Sequence, residues 1–592
     1  MRTSSKAVVL SLALMATLAH AQVTITTVAN AASYIHPPLP NSSIAQGAFF
    51  VILGSSSQTT TATAAWTIYP LPIMLANTTV TVTAGTTSGN PLLYYVGPSA
   101  SGGTQIDAVM PSDTPVGPAM IVVTQNGMAS APFAVNVVAS SPGAYTLNGA
   151  GSGPGLFFNV ASDGSLTPNN LFHTAKPGQL VALHATGLAP VANPSKEGLQ
   201  APYQVDVRSS NFLVDVYVGG QPATVQYAGR TSYTAEDEIV FTVPAGVSSG
   251  CYNEVAVSAG PSTGSQTISN FTSLAVDTKG AVCQDADGIN YKELAAAVKS
   301  KGSADIGAIS LLSNYIPINF LGTMIQFDND TVNGEIATLS TQQVNESFGF
   351  TTEPSVNNCS VTQFLQFPPP IDPTRGGLFY LDAGPDLTIT GGTTGSMQVP
   401  KTSNGEGYGA LVGGISQLLQ GGGLPPYYLN SNYAILPATY AVTGPGGTQA
   451  GAFSATLQVT AAAAAFKWTN SSIANNFIPR NTPLTITWTG GDPNGFVGIT
   501  LIGSTTLQSV EPLPTDPGEQ VQCVAPTSAG SFTIPTYVLE ALPSTLSSPS
   551  PTAGELLVGP LSGAVPITPA PSGLDAAWIF YQFVAGLQVW WQ

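Results

Sequence analysis

Charged side chains are scarce: Asp, Glu, Lys and Arg together make up 8% of the 592 residues. Long amphipathic helices need Glu, Lys and Arg on their wet faces, so short strands with Thr/Ser faces and Gly/Pro turns fit this composition far better than a mainly helical architecture. Basic residues are the scarcest of the set, 14 against 31 acidic ones. A surface with that balance repels phosphate backbones, and neither nucleic acid nor anionic lipid is expected as a partner. Histidine occurs four times, and no H-E-x-x-H pair is present, so neither a zincin nor another histidine-based hydrolase is expected. A glycoside hydrolase is harder to read, because its two carboxylates are paired in space and not by spacing. The glycine-rich run from Gly149 to Gly155 lacks the Lys-Ser/Thr that a phosphate loop requires and reads as a linker. Past the N-terminal segment, no stretch of eighteen apolar residues lacks a polar break, so no membrane-spanning helix is expected there.

The N-terminus carries an export signal. Arg2 and Lys6 precede an apolar stretch from Ala7 to Leu18, and Ala19-His20-Ala21 supplies small residues where a signal peptidase reads. Cleavage is expected between Ala21 and Gln22. Twelve apolar residues reach about 18 Å as helix, short of a hydrocarbon core of about 30 Å. Loss of the signal leaves 12 basic against 31 acidic residues, a net charge of −19. The expected location is extracytoplasmic: periplasm, cell surface or medium. In that compartment the four cysteines, Cys251, Cys283, Cys359 and Cys523, are expected as disulfides. Three pairings are open. Cys251–Cys283 and Cys359–Cys523 are favoured because each pair falls within one proposed domain or at its border.

What is abundant is period-two alternation. Val80, Val82 and Ala84 alternate with threonines, and the same pattern recurs at Val214, Val216 and Val218. It returns at Leu387 and Ile389, at Ala455, Leu457 and Val459, and at Leu484, Ile486 and Trp488. Gly and Pro separate these runs at short intervals, as in a β-sandwich. An internal repeat supplies boundaries. Pro91 to Gly97 returns as Pro222 to Gly229, and Ile106 to Pro111 returns as Ile239 to Pro244. Gly117 and Gly250 follow those prolines at the same distance, each ahead of a valine-rich strand. Three blocks kept in order at matched spacing indicate two copies of one domain.

The motifs Val28-Ala-Asn-Ala-Ala-Ser33, Gln105-Ile-Asp-Ala-Val-Met-Pro111 and Val116-Gly-Pro-Ala119 precede Ser141-Pro-Gly143, Lys176-Pro-Gly178, Ala185-Thr-Gly-Leu188 and Val218-Gly-Gly-Gln-Pro-Ala223. In this order they resemble a family of secreted acidobacterial proteins with an uncharacterised tandem Ig-like module, similar to IPT/TIG domains. The resemblance covers residues 23–277, under half of the chain. It implies tandem sandwiches and assigns no catalytic residue. In this chain Arg230-Thr-Ser-Tyr233 replaces the usual continuation of the Tyr-Ala-Gly turn.

The expected fold is all-β: a signal peptide over 1–21, Ig-like sandwiches over 22–140 and 141–283, and a linker over 284–303. That linker contains one short helix near 290–301, capped by Asn290 with Glu293 three residues on. Residues 304–592 read as a larger C-terminal sandwich region, one domain or two, with Trp468 and Trp488 in its core. Asn333-Gly334 suggests a hairpin turn, and Trp578–Trp591 a final hairpin bent at Ala585-Gly586.

No catalytic residue or bound cofactor is expected. The acidic loops at Asp285 and Asp287 and at Asp328 and Asp330 are weak Ca²⁺ candidates, read first as solvated turns. An EF-hand register on Gly288 would put Cys283 and Leu294 where carboxylates are required. Tyr427, Tyr428, Trp590 and Trp591 are candidate ligand aromatics, with core packing as the simpler reading. The expected function is a secreted, non-enzymatic structural or adhesion-type protein, its partner a polysaccharide or an envelope protein. A carbohydrate-binding module is the alternative, and a glycosidase with paired carboxylates comes third.

Overall fold

Alternating apolar and threonine residues become strands with one buried face. Thr78–Ala84 is the clearest case, with Thr78, Val80, Val82 and Ala84 inside and the three threonines between them partly exposed. The structure is a computed structural model. It describes residues 23–592 except 56–63, 66–68, 100–102, 200–204, 287, 290, 321–322, 347–353, 365–377, 393–394, 404, 414–434, 473–476, 505–516 and 546–553.

Two sheets enclose the first core. One runs Thr24–Asn30, Phe49–Ser55, Thr104–Val109, Leu92–Pro98 and Ala64–Ala65; the other is centred on Phe133–Val138, Gly117–Gln125 and Thr78–Ala84. Phe50, Ile52, Leu93 and Ile106 from one sheet meet Val80, Val82, Ile121 and Val137 from the other. The second core is built the same way around Phe157, Leu183, Val216, Phe241, Val257 and Leu274. Its strand Gln221–Arg230 turns the corner, pairing first with Leu213–Val218 and then with Asp237–Thr242.

The repeat is structural to the level of single hydrogen bonds. The hairpin of Leu92–Pro98 with Thr104–Val109 shifts register between Leu93 and Tyr95, and its counterpart shifts between Val225 and Tyr227. Tyr95 Oη donates to the Pro98 carbonyl at 3.0 Å, and Tyr227 Oη donates to the Arg230 carbonyl at 2.7 Å. The glycine two residues after each tyrosine makes room for this: a Cβ at Gly97 would stand 2.5 Å from the Tyr95 hydroxyl oxygen, and one at Gly229 2.9 Å from that of Tyr227. The recurring Tyr-x-Gly is therefore a packing requirement of the bulged strand.

The C-terminal half is organised by a long hairpin, Ser303–Phe320 against Thr323–Ser340. The strand Ala576–Trp591 runs parallel to Ser303–Phe320 and antiparallel to Gly554–Leu561. Two cores flank this sheet. One gathers Leu387, Ile389, Tyr440, Val442 and Leu457, the other Ile486, Trp488, Ile499, Leu501, Val521 and Trp591. Trp468 packs against the second of these, and Trp488 Nε1 donates to the Thr527 carbonyl at 2.8 Å. The helix spans Tyr291–Lys301 and buries Tyr291, Leu294 and Ala297. Disulfides join Cys251 to Cys283 and Cys359 to Cys523, the second directly across paired strands.

Three turn assignments made from sequence are corrected. Asn333 and Gly334 lie inside Thr323–Ser340, paired with Ser310 and Ile309 on one side and with Gly409 and Tyr408 on the other. Gly334 serves close approach, not reversal: a Cβ there would stand 2.8 Å from Leu387 Cδ1. Asp328 and Asp330 belong to the same strand, opposite Tyr315 and Ser313, and not to a turn. Trp578–Trp591 is one continuous strand. Ala585 and Gly586 are held straight by Val558 and Leu557 on one side, and Tyr315 pairs with Ala585 on the other.

The second core is fastened to the C-terminal half through Glu254, buried on strand Gly250–Gly260. Its carboxylate accepts from Tyr537 Oη at 2.5 Å and from the Cys359 backbone N–H at 3.2 Å. Tyr537 also stacks on Tyr217, ring centroids 4.3 Å apart. Burial lifts the Glu254 carboxyl from an ordinary 4.5 to about 7. The folded chain thus holds a proton that the unfolded chain releases, and stability falls as pH rises from about 4.5 towards 7. Glu254→Gln is neutral at every pH. Its melting temperature is expected to vary less than wild type between pH 5 and 7.5 and to be the higher of the two at pH 8. Parallel pH profiles for the two proteins would refute this assignment.

Candidate functional site

The residues chosen from sequence as ligand candidates do not converge. Trp591 is fully buried, its Nε1 donating to the Ile502 carbonyl at 2.8 Å, so it is a core residue and not a ligand aromatic. Trp590 is half-buried and stacks on Phe477 with centroids 5.1 Å apart. Tyr427, Tyr428, Asp287, Ala21 and Gln22 lie outside the described residues, as does the side chain of Asp328. Asp285 accepts from the Cys251 N–H at 2.9 Å and from Ser355 Oγ at 2.6 Å, which ties it to the disulfide loop. Asp330 is buried and accepts from the Ile435 N–H at 2.8 Å. Among the described residues no group of three His, Cys, Asp or Glu side chains could hold a metal ion.

Gly260-Pro-Ser-Thr-Gly264 has the G-x-S-x-G spacing of a nucleophile elbow, a match the reading from sequence passed over. It links strand Gly250–Gly260 to strand Thr267–Ile268 with no helix following. Ser262 is exposed, its Oγ 2.8 Å from Ser265 Oγ. A nucleophile elbow needs a strand-to-helix turn and a base, and this turn supplies neither.

The structure instead brings function-bearing side chains together where the first two sandwiches meet. A buried polar joint forms the floor. Arg230, 6% exposed, pairs through Nη1 with Asp237, 1% exposed. Arg230 Nη2 donates across the joint to the Gly47 carbonyl at 2.6 Å. Asp237 also accepts from the Leu188 N–H at 2.9 Å. Beside it, buried Glu197 of the second sandwich accepts from Ser112 of the first, through the backbone N–H at 3.0 Å and through the hydroxyl. Ser112 Oγ in turn accepts from the Val191 N–H at 2.9 Å, and Phe49 N–H donates to Thr186 Oγ1 at 2.9 Å. Burial pushes the carboxyls of Asp237 and Glu197 upward, and their hydrogen bonds and the Arg230 charge pull back. Gly47 is the contact point. It has φ +71°, and a Cβ there would stand 2.6 Å from Arg230 Nη2. An apolar patch of Leu71, Val109 and Ala235 seals the same joint.

Beside this floor opens a cleft of about 380 Å³. The first sandwich contributes Tyr34, Phe49, Tyr69, Tyr94 and Asp107, and the second contributes Tyr145, Tyr233 and Glu236. Phe49 and Tyr94 meet edge to face at 5.7 Å. Tyr94 and Tyr233 are the exposed walls, at 41% and 54%. Burial pushes the Asp107 carboxyl up to about 6, against the hydrogen bond it accepts from Gln105 Nε2 at 2.9 Å. Burial also raises the hydroxyls of Tyr34, Tyr69 and Tyr145, helped by neighbouring carboxylates, so these phenols stay neutral. His184 Nδ1 lies 2.5 Å from Glu236 Oε1, and Thr231 Oγ1 donates to Glu236 Oε2 at 3.1 Å. No Lys or Arg side chain lines the cleft among its described residues.

Sequence reasoning missed this site because its tyrosines are scattered from position 34 to 233. One signal was present: Tyr94 follows core residue Leu93 on a strand, which places a large ring on the wet face. A second cavity, of about 510 Å³, lies near Asp492 and Tyr581. Its lining is mostly small or aliphatic, with Asp492 the one charged group among the described residues.

These features define an all-β chain of packed sandwiches with an aromatic cleft at one joint. No family model matches the chain. No curated protein matches it in sequence. Among solved structures it is similar to the titin Ig tandem domains A164–A165, with 8% identity and a TM-score of 0.13 over 40% of this chain and 90% of that one. It is also similar to domains 1–6 of surface layer protein SbsC, with 11% identity and a TM-score of 0.17 over 95% of this chain and 54% of that one. The chain thus spans about half the length of the latter.

Arg230→Ala would leave Asp237 buried beside the joint without its cation, at a cost of about 3–5 kcal/mol. Calorimetry of the full mature chain is expected to show an earlier melting transition for the variant. A transition within about 1 °C of wild type would mean that the ion pair does not hold the joint.

Proposed function

We propose that this chain is a secreted, non-enzymatic structural or adhesion-type protein, which holds β-sandwiches at fixed separation outside the cytoplasm. The observation that supports the reading most directly is the joint between the first two sandwiches. Linked domains move relative to one another unless their interface is large and apolar or otherwise fixed. Here a buried arginine, two buried carboxylates and side-chain-to-backbone hydrogen bonds define one orientation. The Glu254–Tyr537 contact does the same further along. A spacer needs this property, and an isolated binding module does not.

Two further points agree with the reading. Paired cysteines persist in oxidising compartments. Strong net negative charge keeps an extended surface soluble. The partner at the tip of such a spacer is a polysaccharide or another envelope protein.

Small-angle scattering tests the reading. The mature wild-type chain is expected to fit a single conformation, and Arg230→Ala to show a larger radius of gyration. A wild-type profile that fits only as a mixture of bent forms would sink the spacer role. Fractionation of the source cells supplies a second check. The protein is expected outside the cytoplasm, starting at Gln22 and without free thiols, and a cytoplasmic, reduced chain would contradict the proposal.

A further inference from the structure

The spacer role leaves the tyrosine cleft unexplained. A joint needs buried contacts, not a ligand-sized opening walled by rings. We propose that this cleft binds an organic ammonium group, seated among Tyr69, Tyr94, Tyr145 and Tyr233 with Asp107 and Glu236 as its counter-charge.

Three observations carry the inference. Aromatic side chains from both sandwiches line a space of about 380 Å³, enough for an alkylammonium head and a short tail. The negative faces of such rings attract a cation that has shed part of its water. Both ionisable carboxyl groups in the lining are acidic, and no Lys or Arg faces them among the described lining residues. Glu236 is held in place by His184 Nδ1, 2.5 Å from its Oε1, and by Thr231 Oγ1, which donates to its Oε2 at 3.1 Å.

A neutral sugar fits the lining less well. It could stack on a ring, but it would take two carboxylates further out of water without bringing a positive charge, and burying a carboxylate without a counter-charge is costly. An ammonium group brings that charge with it. The joint beneath fixes the spacing of the two walls, so the cleft is formed before the ligand arrives.

The test uses the full mature chain and ligand-observed NMR titration with choline. The comparison ligands are 3,3-dimethylbutan-1-ol, its neutral isostere, and glucose and N-acetylglucosamine. Choline is expected to bind at least about tenfold more tightly than the isostere. Tyr94→Ala and Asp107→Asn are each expected to weaken choline at least about fivefold. Tyr94 is exposed, so its variant keeps the fold, which a wild-type melting curve verifies. Equal binding of choline and isostere would overturn the proposal, as would sugar binding without choline binding. The same holds if nothing binds at millimolar concentration, or if choline binding survives Tyr94→Ala unchanged. Turnover of chromogenic glycosides that is lost in Asp107→Asn would overturn it in favour of a glycosidase. None of these outcomes bears on the rigidity read by scattering, so the two proposals fail separately.

Discussion

One guanidinium governs the N-terminal half. Arg230 is buried between two sandwiches, and a charge removed from water is costly unless it is paired and hydrogen-bonded. Asp237 supplies the opposite charge, and the Gly47 carbonyl of the other sandwich takes a further N–H. The compensation works in one relative orientation only. A small rotation would part Arg230 from Gly47 and Ser112 from Glu197 together, leaving several buried polar groups unpaired at once. Apolar contact alone would tolerate such sliding, because it has no direction. Replacing the set by hydrophobic groups could even raise stability, so the feature is better understood as fixing geometry than as adding cohesion.

That geometry shapes the cleft. Its two walls belong to different sandwiches, so their separation is an interdomain distance. Phe49 shows the coupling: its backbone donates to Thr186 across the joint while its ring packs against Tyr94 in the wall. The segment Arg230-Thr-Ser-Tyr233 supplies both the clamp and one wall.

The sequence was informative where one residue decides one thing. Alternation at Val80, Val82 and Ala84, or at Leu484, Ile486 and Trp488, depends only on which face meets the core, and those strands formed as expected. The helix over Tyr291–Lys301 was legible for the same reason. Asn333-Gly334 misled because its turn preference is local, whereas the strand around it is paired on both sides. Ala585-Gly586 misled likewise, since small residues there admit neighbouring strands and do not bend the chain. The cleft was illegible because its tyrosines lie on separate strands and loops, and only the packing of two sandwiches brings them within reach.

The parallel pairing of Ser303–Phe320 with Ala576–Trp591 has a consequence for the order of assembly. Its two partners are separated by most of the C-terminal half, and such distant pairings form slowly because a long loop must close first. Among the described residues the two N-terminal sandwiches take no strand from beyond residue 276 and can complete before the rest of the chain is in place. The central sheet must wait for the strand Ala576–Trp591, and until then the long hairpin keeps an open edge. An unpaired edge is a template for wrong partners, so two N-terminal domains can be finished while the central sheet stays vulnerable until Ala576–Trp591 has paired.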